Sequence, residues 1–263
     1  MRLLLSGILL FSAQCANAAN SCDINAIVQH AWPDATPTTD GFTIRDRQII
    51  TISNASPQRA ICRVWPARPE LTLAAVPLMS NEQTDYDHTG DLELLVLDSA
   101  TLAVRQRLHL PNRMSDDAFR ITRLTLDTAR WKVTPDQIAF GLHIVRDGSS
   151  RVNPFREDAL SLYVIENNQL RTLLPGIILE DNSGEWDGTC AGEFNDIKRT
   201  LAIGTSSHKG YADIRVSEKS VASTAYIDGN GECTAKDKPG KASWTLRYDG
   251  NQYVVPKNLA PIE

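Results

Sequence analysis

The sequence predicts a mainly β, antiparallel protein, propeller-like or a closed sandwich, with one short N-terminal helix and two disulfides. Three observations carry this expectation. Short segments with period-two alternation of apolar and polar residues follow one another, helical periodicity is scarce after residue 33, and an even number of cysteines remains once the leader is removed. With 42% hydrophobic residues over 263 positions the chain can bury a full core, and all-β folds of this length commonly form one unit, here residues 19–263.

Residues 1–18 read as a secretory signal peptide. Arg2 gives the basic start, 3–11 the apolar run, and Ala16 and Ala18 bracket Asn17 at the cleavage site. The run is shorter than the roughly 20 residues a bilayer span needs, and the later stretch 138–145 is interrupted by Gly141 and His143, so no membrane span is expected. A lipid anchor at Cys15 is the competing reading, opposed by the bulky Gln14 and the lack of an aliphatic residue before the thiol. The expected location is the periplasm.

The helix is expected at Ile24–Ala31, where Ile24, Ile27, Val28 and Ala31 share one face, Asp23 can cap the start and Pro33 ends it. Strands are expected at 42–52, 71–79, 92–97, 101–110, 119–126, 138–145, 160–165, 201–204, 212–216 and 244–248. In 101–110 the apolar Leu102, Val104, Leu108 and Leu110 alternate with Arg105, Arg107 and His109, so that strand has one wet face. Between Phe119 and Leu126 the apolar phase slips by one, which predicts a bulge near Thr122. Asp147-Gly148, Asp228-Gly229 and Asp249-Gly250 supply turns, and the Pro, Thr, Asp and Gly clusters of 32–41 and 181–195 read as loops.

With Cys15 removed, Cys22, Cys62, Cys190 and Cys233 remain, an even count that in an exported chain argues for two disulfides. Three pairings are open; the long gap between Cys62 and Cys190 suggests Cys22–Cys62 and Cys190–Cys233. Zinc knuckles place cysteines two to four residues apart, and no such pair occurs. Trp65, Trp131, Trp186 and Trp244 are spaced at about the length of a propeller blade, but their surroundings share only the aromatic, so core anchors are the simpler reading. Lys and Arg total 27 against 32 Asp and Glu, a net charge of −5 that argues against nucleic acid as a partner.

One segment has metal-site spacing. Asp85, Asp87, Thr89 and Glu93 place oxygen-bearing side chains at its first, third, fifth and ninth positions, with Gly90 at the sixth, as a Ca²⁺ cage would require. Val96 occupies the position where an EF-hand has its bidentate Glu, and the segment leads into the apolar run 94–97. In this, DYDHTGDLELLVLD resembles the calcium-binding loop of integrin-type FG-GAP propeller repeats, over about fourteen residues and in one copy, with Thr89 where the pattern has a third acid. The resemblance implies side-chain ligation by Asp85, Asp87, Thr89 and Glu93, backbone ligation by Asp91, and a structural calcium ion as cofactor.

The five histidines form no HExxH pair, and neither a GxSxG elbow nor a phosphate loop occurs, so no catalytic residue is assigned. Ser206-Ser207-His208-Lys209 puts nucleophile and base types side by side, which a polar turn also explains. Asp181, Glu185 and Asp187 surround Trp186, an arrangement found in sugar-cleaving sites and equally in a solvated acidic loop. Asp228, Asn230 and Glu232 of DGNGEC could hold a second cation and equally suit a tight Asx-Gly turn, the preferred reading.

Two functions follow. The first is a periplasmic, non-enzymatic binding or inhibitor module, of the immunity type among others, whose disulfide-pinned scaffold presents loops to a protein or envelope partner, a basic one on net charge. The alternative is an envelope glycan hydrolase using loop carboxylates. Two convergent acids in a pocket, one with a raised pKa, favour the hydrolase; an exposed apolar face favours the binder.

Overall fold

The structure, a computed structural model, describes residues 22–84 and 86–262; the expected leader at 1–18 and Asp85 lie outside the described residues. The helix α1 spans Ile24–Ala31 as expected. The Asp23 carboxylate caps it by accepting from the Asn25 and Ala26 amides at 3.0 and 3.2 Å, and Ile27 and Val28 are buried. At its far end the Arg107 guanidinium donates to the Ala31 carbonyl at 2.7 Å and stacks on Trp32 at 4.8 Å, fixing the helix to the sheet beneath.

The first sheet contains β1 (Thr36–Pro37), β2 (Gly41–Thr43), β3 (Ile49–Thr51), β4 (Ile61–Val64), β5 (Leu71–Met79), β6 (Gly90–Asp98) and β7 (Val104–Leu110), in the order β1-β2-β3-β5-β6-β7 with β4 also pairing with β5. Every residue of β5 is buried because both of its faces are covered. Leu71, Leu73, Ala75 and Met79 enter the core shared with the second sheet; Ala74, Val76 and Leu78 pack beside Ile27 and Val28 of α1. The Cys22–Cys62 disulfide ties the start of α1 to β4.

The second sheet is an antiparallel meander of β8 (Phe119–Lys132), β9 (Ile138–Gly148), β10 (Phe155–Glu166), β11 (Gln169–Trp186), β12 (Gly192–His208), β13 (Tyr211–Ile227) and β14 (Cys233–Leu246). Its register shifts between Ile121 and Arg123, where the bulge is expected, and the Thr122 hydroxyl donates there to Asp147 at 2.6 Å. Ile121, Leu124, Leu126, Phe140, Leu142, Ile144 and Tyr163 form the core shared with the first sheet, centred on the fully buried Trp65, whose ring meets Phe140 edge-on at 5.5 Å. A further core joins Leu160, Leu162, Leu174 and Ile177 to Ile214, Val216, Leu246, Tyr253 and Leu259. Strands that are distant in the sheet order share it, so the meander curls over on itself.

The fold is thus mainly β, with two packed antiparallel sheets, one short helix and two disulfides. Of the two expected architectures the sandwich is the one formed, without closing into a barrel; the tryptophans occupy inequivalent places and no ring of blades occurs among the described residues. Residues 181–195, expected as a loop, are corrected: strand continues to Trp186 and resumes at Gly192, leaving only 187–191 as a connection. β11 escapes the period-two reading because Pro175 and Gly176 interrupt its apolar run. The turn before it, Asn167-Asn168, has φ of 50° and 62°, the left-handed geometry that asparagine tolerates in a two-residue hairpin.

Candidate functional site

The acidic segment falls into two parts. Asp87 lies in the loop before β6, its amide donating to the Thr84 hydroxyl at 2.8 Å, and the Thr89 carbonyl accepts from the Ser80 amide at 2.8 Å. Asp91 and Glu93 lie within β6, where alternation puts them on one face opposite the cations of β7. Asp91 accepts from the Asn112 amide at 2.8 Å and lies 3.3 Å from His109 Nε2. Glu93, almost fully buried, pairs with Arg107 at 3.2 Å and His109 at 3.1 Å. Among the described residues no group of three or more His, Cys, Asp or Glu side chains is placed to hold a metal. The calcium reading therefore stands as a proposal that requires Asp85 and requires Glu93 to leave Arg107 and His109.

Ser206 and His208 are brought together, but not as a triad. Both bond the same carboxylate, Asp213: the Ser206 hydroxyl at 2.6 Å and His208 Nδ1 at 2.6 Å. Burial alone would raise the Asp213 carboxyl, and these two bonds outweigh it and hold it low. The serine proton is thus directed to the acid rather than to the imidazole, which is not the order of a Ser-His-Asp triad. Asp228 accepts from the amides of Asn230 and Glu232, as the expected Asx turn would.

The acids around Trp186 separate. Asp187 caps its own loop by accepting from the Thr189 and Cys190 amides, each at 2.8 Å. Glu185 lies opposite Glu193 on the neighbouring strand. Asp181 finds a partner that sequence reading missed, Glu157 directly opposite on β10. Burial pushes the Glu157 carboxyl up, yet it is only 1% exposed and its outer oxygen accepts from the Ile262 amide at 3.3 Å. Glu157 is thereby sealed from substrate.

The outer halves of β11–β14 form a different kind of site. No residue of 217–243 belongs to any of the three cores, so this part of the sheet projects as a paddle with both faces in solvent. The Cys190–Cys233 disulfide ties its tip. On one face Asn182, Asp196, Val221 and Pro239 form a row, and Gly184, Phe194, Ser223 and Asp237 the next. A Cβ at Gly184 would lie 2.5 Å from the Phe194 ring, so glycine is what lets that ring lie flat across β11. Phe194, Val221 and Pro154 line a shallow depression of about 590 Å³, and Val221 is 36% exposed.

On that same face the row nearer the body begins with Glu180 on β11 and continues with three lysines. Lys198 stands opposite Lys219, and Lys219 opposite Lys241, and none of the three forms an ion pair among the described residues. Like charges in facing positions are unfavourable, so this row raises the local potential where the apolar patch begins. At the opposite end of the sheet Tyr211, Tyr248, Arg171 and Glu166 form a closed polar network, with Tyr211 donating to Glu166 at 2.7 Å and stacked on Tyr248 at 4.1 Å. Its hydrogen bonds hold Glu166 low, while burial and Glu166 push Tyr211 up to about 12. It locks the curled sheet at this end. The chain matches no protein-family model, no curated protein and no solved structure.

Proposed function

We propose that the protein is an exported, periplasmic binding or inhibitor module, without catalytic activity, that engages a protein partner through the paddle. The single observation that carries this reading is a projecting sheet, pinned by Cys190–Cys233, that packs against no core of its own chain. Such a sheet loses much of the stabilisation that burial gives elsewhere, so its retention as an ordered platform is explained by what it presents. The face bearing Phe194, Val221 and Pro239 beside Lys198, Lys219 and Lys241 suits an apolar patch rimmed by carboxylates. The net charge of −5 favours a basic partner at long range, but the local row decides the contact.

The sealed state of Glu157 and the diversion of Ser206 to Asp213 speak against the glycan hydrolase. The test is photo-crosslinking from positions 221 and 239 in envelope extract, beside the exposed position 254 at the body end of the sheet, with release of soluble fragments from purified envelope glycan measured in parallel. A discrete protein adduct at 221 and 239, lost in Lys219→Glu, is expected. Glycan release at a rate that Asp181→Asn abolishes would replace this reading with the hydrolase.

A further inference from the structure

A cleft of about 920 Å³ opens beside the sequence-singled segment, walled by the residues after β7, the start of β8 and the end of β9. Its cations divide sharply. His88, and Arg120 behind it, share one fully buried carboxylate, Asp116, at 2.8 and 3.0 Å. Arg113 and Arg146 form no ion pair among the described residues, although Asp87, Asp116 and Asp117 line the same cleft. The Arg113 guanidinium donates to a neutral hydroxyl, Ser161 Oγ at 3.0 Å, and forms no ion pair among the described residues. Arg146 is only 5% exposed, and its buried Nη1 has no hydrogen-bond partner. Glu157 faces Arg146 across the β9–β10 ladder, but the two are not within ion-pair distance, and Glu157 spends one oxygen on Ile262.

We propose that this cleft binds a small solute through an oxyanion, a carboxylate or a phosphate, held by Arg113 and Arg146. An unpaired buried guanidinium is costly, and removal from water makes an oxyanion its natural complement. Arginine's planar fork grips two oxygens at once, which a single lysine could not do. Burial first, and then the neighbouring Arg113 charge, disfavour the charged form of Arg146 and outweigh the opposing pull of Glu157, Asp116 and Asp117, a balance that a bound anion moves back toward the charged form. Phe119 and Ile262 border the same cleft and offer apolar contact to the body of the solute. The site shares no lining residue with the depression on the paddle, so it stands or falls separately from the protein-binding reading.

Titration calorimetry of the disulfide-intact protein with inorganic phosphate and, separately, with succinate tests it, each against sodium chloride at matched ionic strength. Saturable binding of phosphate alone, of succinate alone or of both supports the site and says which source of the oxyanion it takes. Arg113→Met, at a part-buried position outside the strands, is expected to weaken binding about tenfold or more, the loss of one charge-assisted contact, with its melting curve showing that it is folded; Arg146→Met should do the same where it folds. Arg156→Met removes a cation that is paired with Asp147 and should bind as the wild type does. Absence of saturable binding for both probes, or unchanged affinity in Arg113→Met, overturns the proposal.

Discussion

Glu157 and Asp181 face each other across the β10–β11 ladder, and each keeps one buried oxygen without a hydrogen-bond partner. Burial pushes Glu157 up, against the pull of the Ile262 amide and Arg146, and the Asp181 charge adds to the push. A folded-state pKa above the unfolded one means the folded form holds the proton more tightly. Its stabilising contribution is then complete below the unfolded pKa and is lost as pH rises through the raised value.

Glu157→Gln is therefore expected to be stabilising at pH 8, where the wild type must keep a buried carboxylate ionised. Near pH 4 the variant and the wild type should melt together. Thermal melts of both proteins from pH 4 to 8 check this. A variant that is less stable at pH 8 would show that the carboxylate is needed beside Arg146 in its ionised form.

His143 has the opposite logic. Burial would depress its pKa, but the hydrogen bond to Asp158 at 2.8 Å and the carboxylate charge outweigh it, and the net shift is upward. The stability this pair supplies is complete below the ordinary histidine value and fades as pH rises through the elevated one. Asp158→Asn should lower the His143 pKa by NMR titration and cost about 1 kcal/mol at pH 5.5, the usual scale for a partly exposed charged pair. At pH 9 the loss should be smaller. An equal loss at both pH values would mean that packing rather than charge is responsible.

Replacing Cys190 and Cys233 together by alanine should loosen the paddle and spare the body. For loops of this size, with a sequence separation of 43, the chain-entropy figure is about 4 kcal/mol. Here it acts on the outer strand ends, which belong to none of the three cores, so it appears as local opening. Hydrogen exchange should accelerate about tenfold or more in 192–198, 219–227 and 233–241 while β5 and β6 stay protected. Uniform acceleration through β5 would show that the paddle unfolds only with the whole chain.

The sequence already carried the helix, both disulfides, the bulge at Thr122 and the limits of β5, because each depends on local chemistry: a capping Asp, an even cysteine count, a slip in alternation, a continuous apolar run. The outer halves of β11–β14 were not legible, since strands with two wet faces have no period-two contrast to read. The lysine row was beyond reach for a sharper reason. Counting outward from the Lys209-Gly210 turn places Lys198 opposite Val221. The irregularity between Ile203 and Ser207 shifts the ladder by two residues and puts Lys219 there instead. Arg113 and Arg146 were hidden likewise, as ordinary surface cations until the sheets close around them.

The acidic segment yields the last prediction. If Asp85, Asp87, Thr89 and Glu93 held Ca²⁺, the ion would have to draw Glu93 away from Arg107 and His109, which hold it at 3.2 and 3.1 Å. Breaking a buried pair by removing one partner is strongly destabilising. A site that binds only the native state adds about 2.7 kcal/mol at a hundredfold excess over its Kd. The two effects oppose one another in the wild type. In Glu93→Gln the opposition is gone, and the acids Asp85 and Asp87 remain. Melts of wild type, Asp87→Ala and Glu93→Gln in chelator and in millimolar Ca²⁺ separate the terms. With Glu93 committed to β7, the expected result is no calcium-dependent change in wild-type Tm and a marked loss of stability in Glu93→Gln at every calcium concentration. A calcium-dependent rise in wild type that Asp87→Ala abolishes would instead show that the loop captures the ion and that the Arg107 pair yields to it.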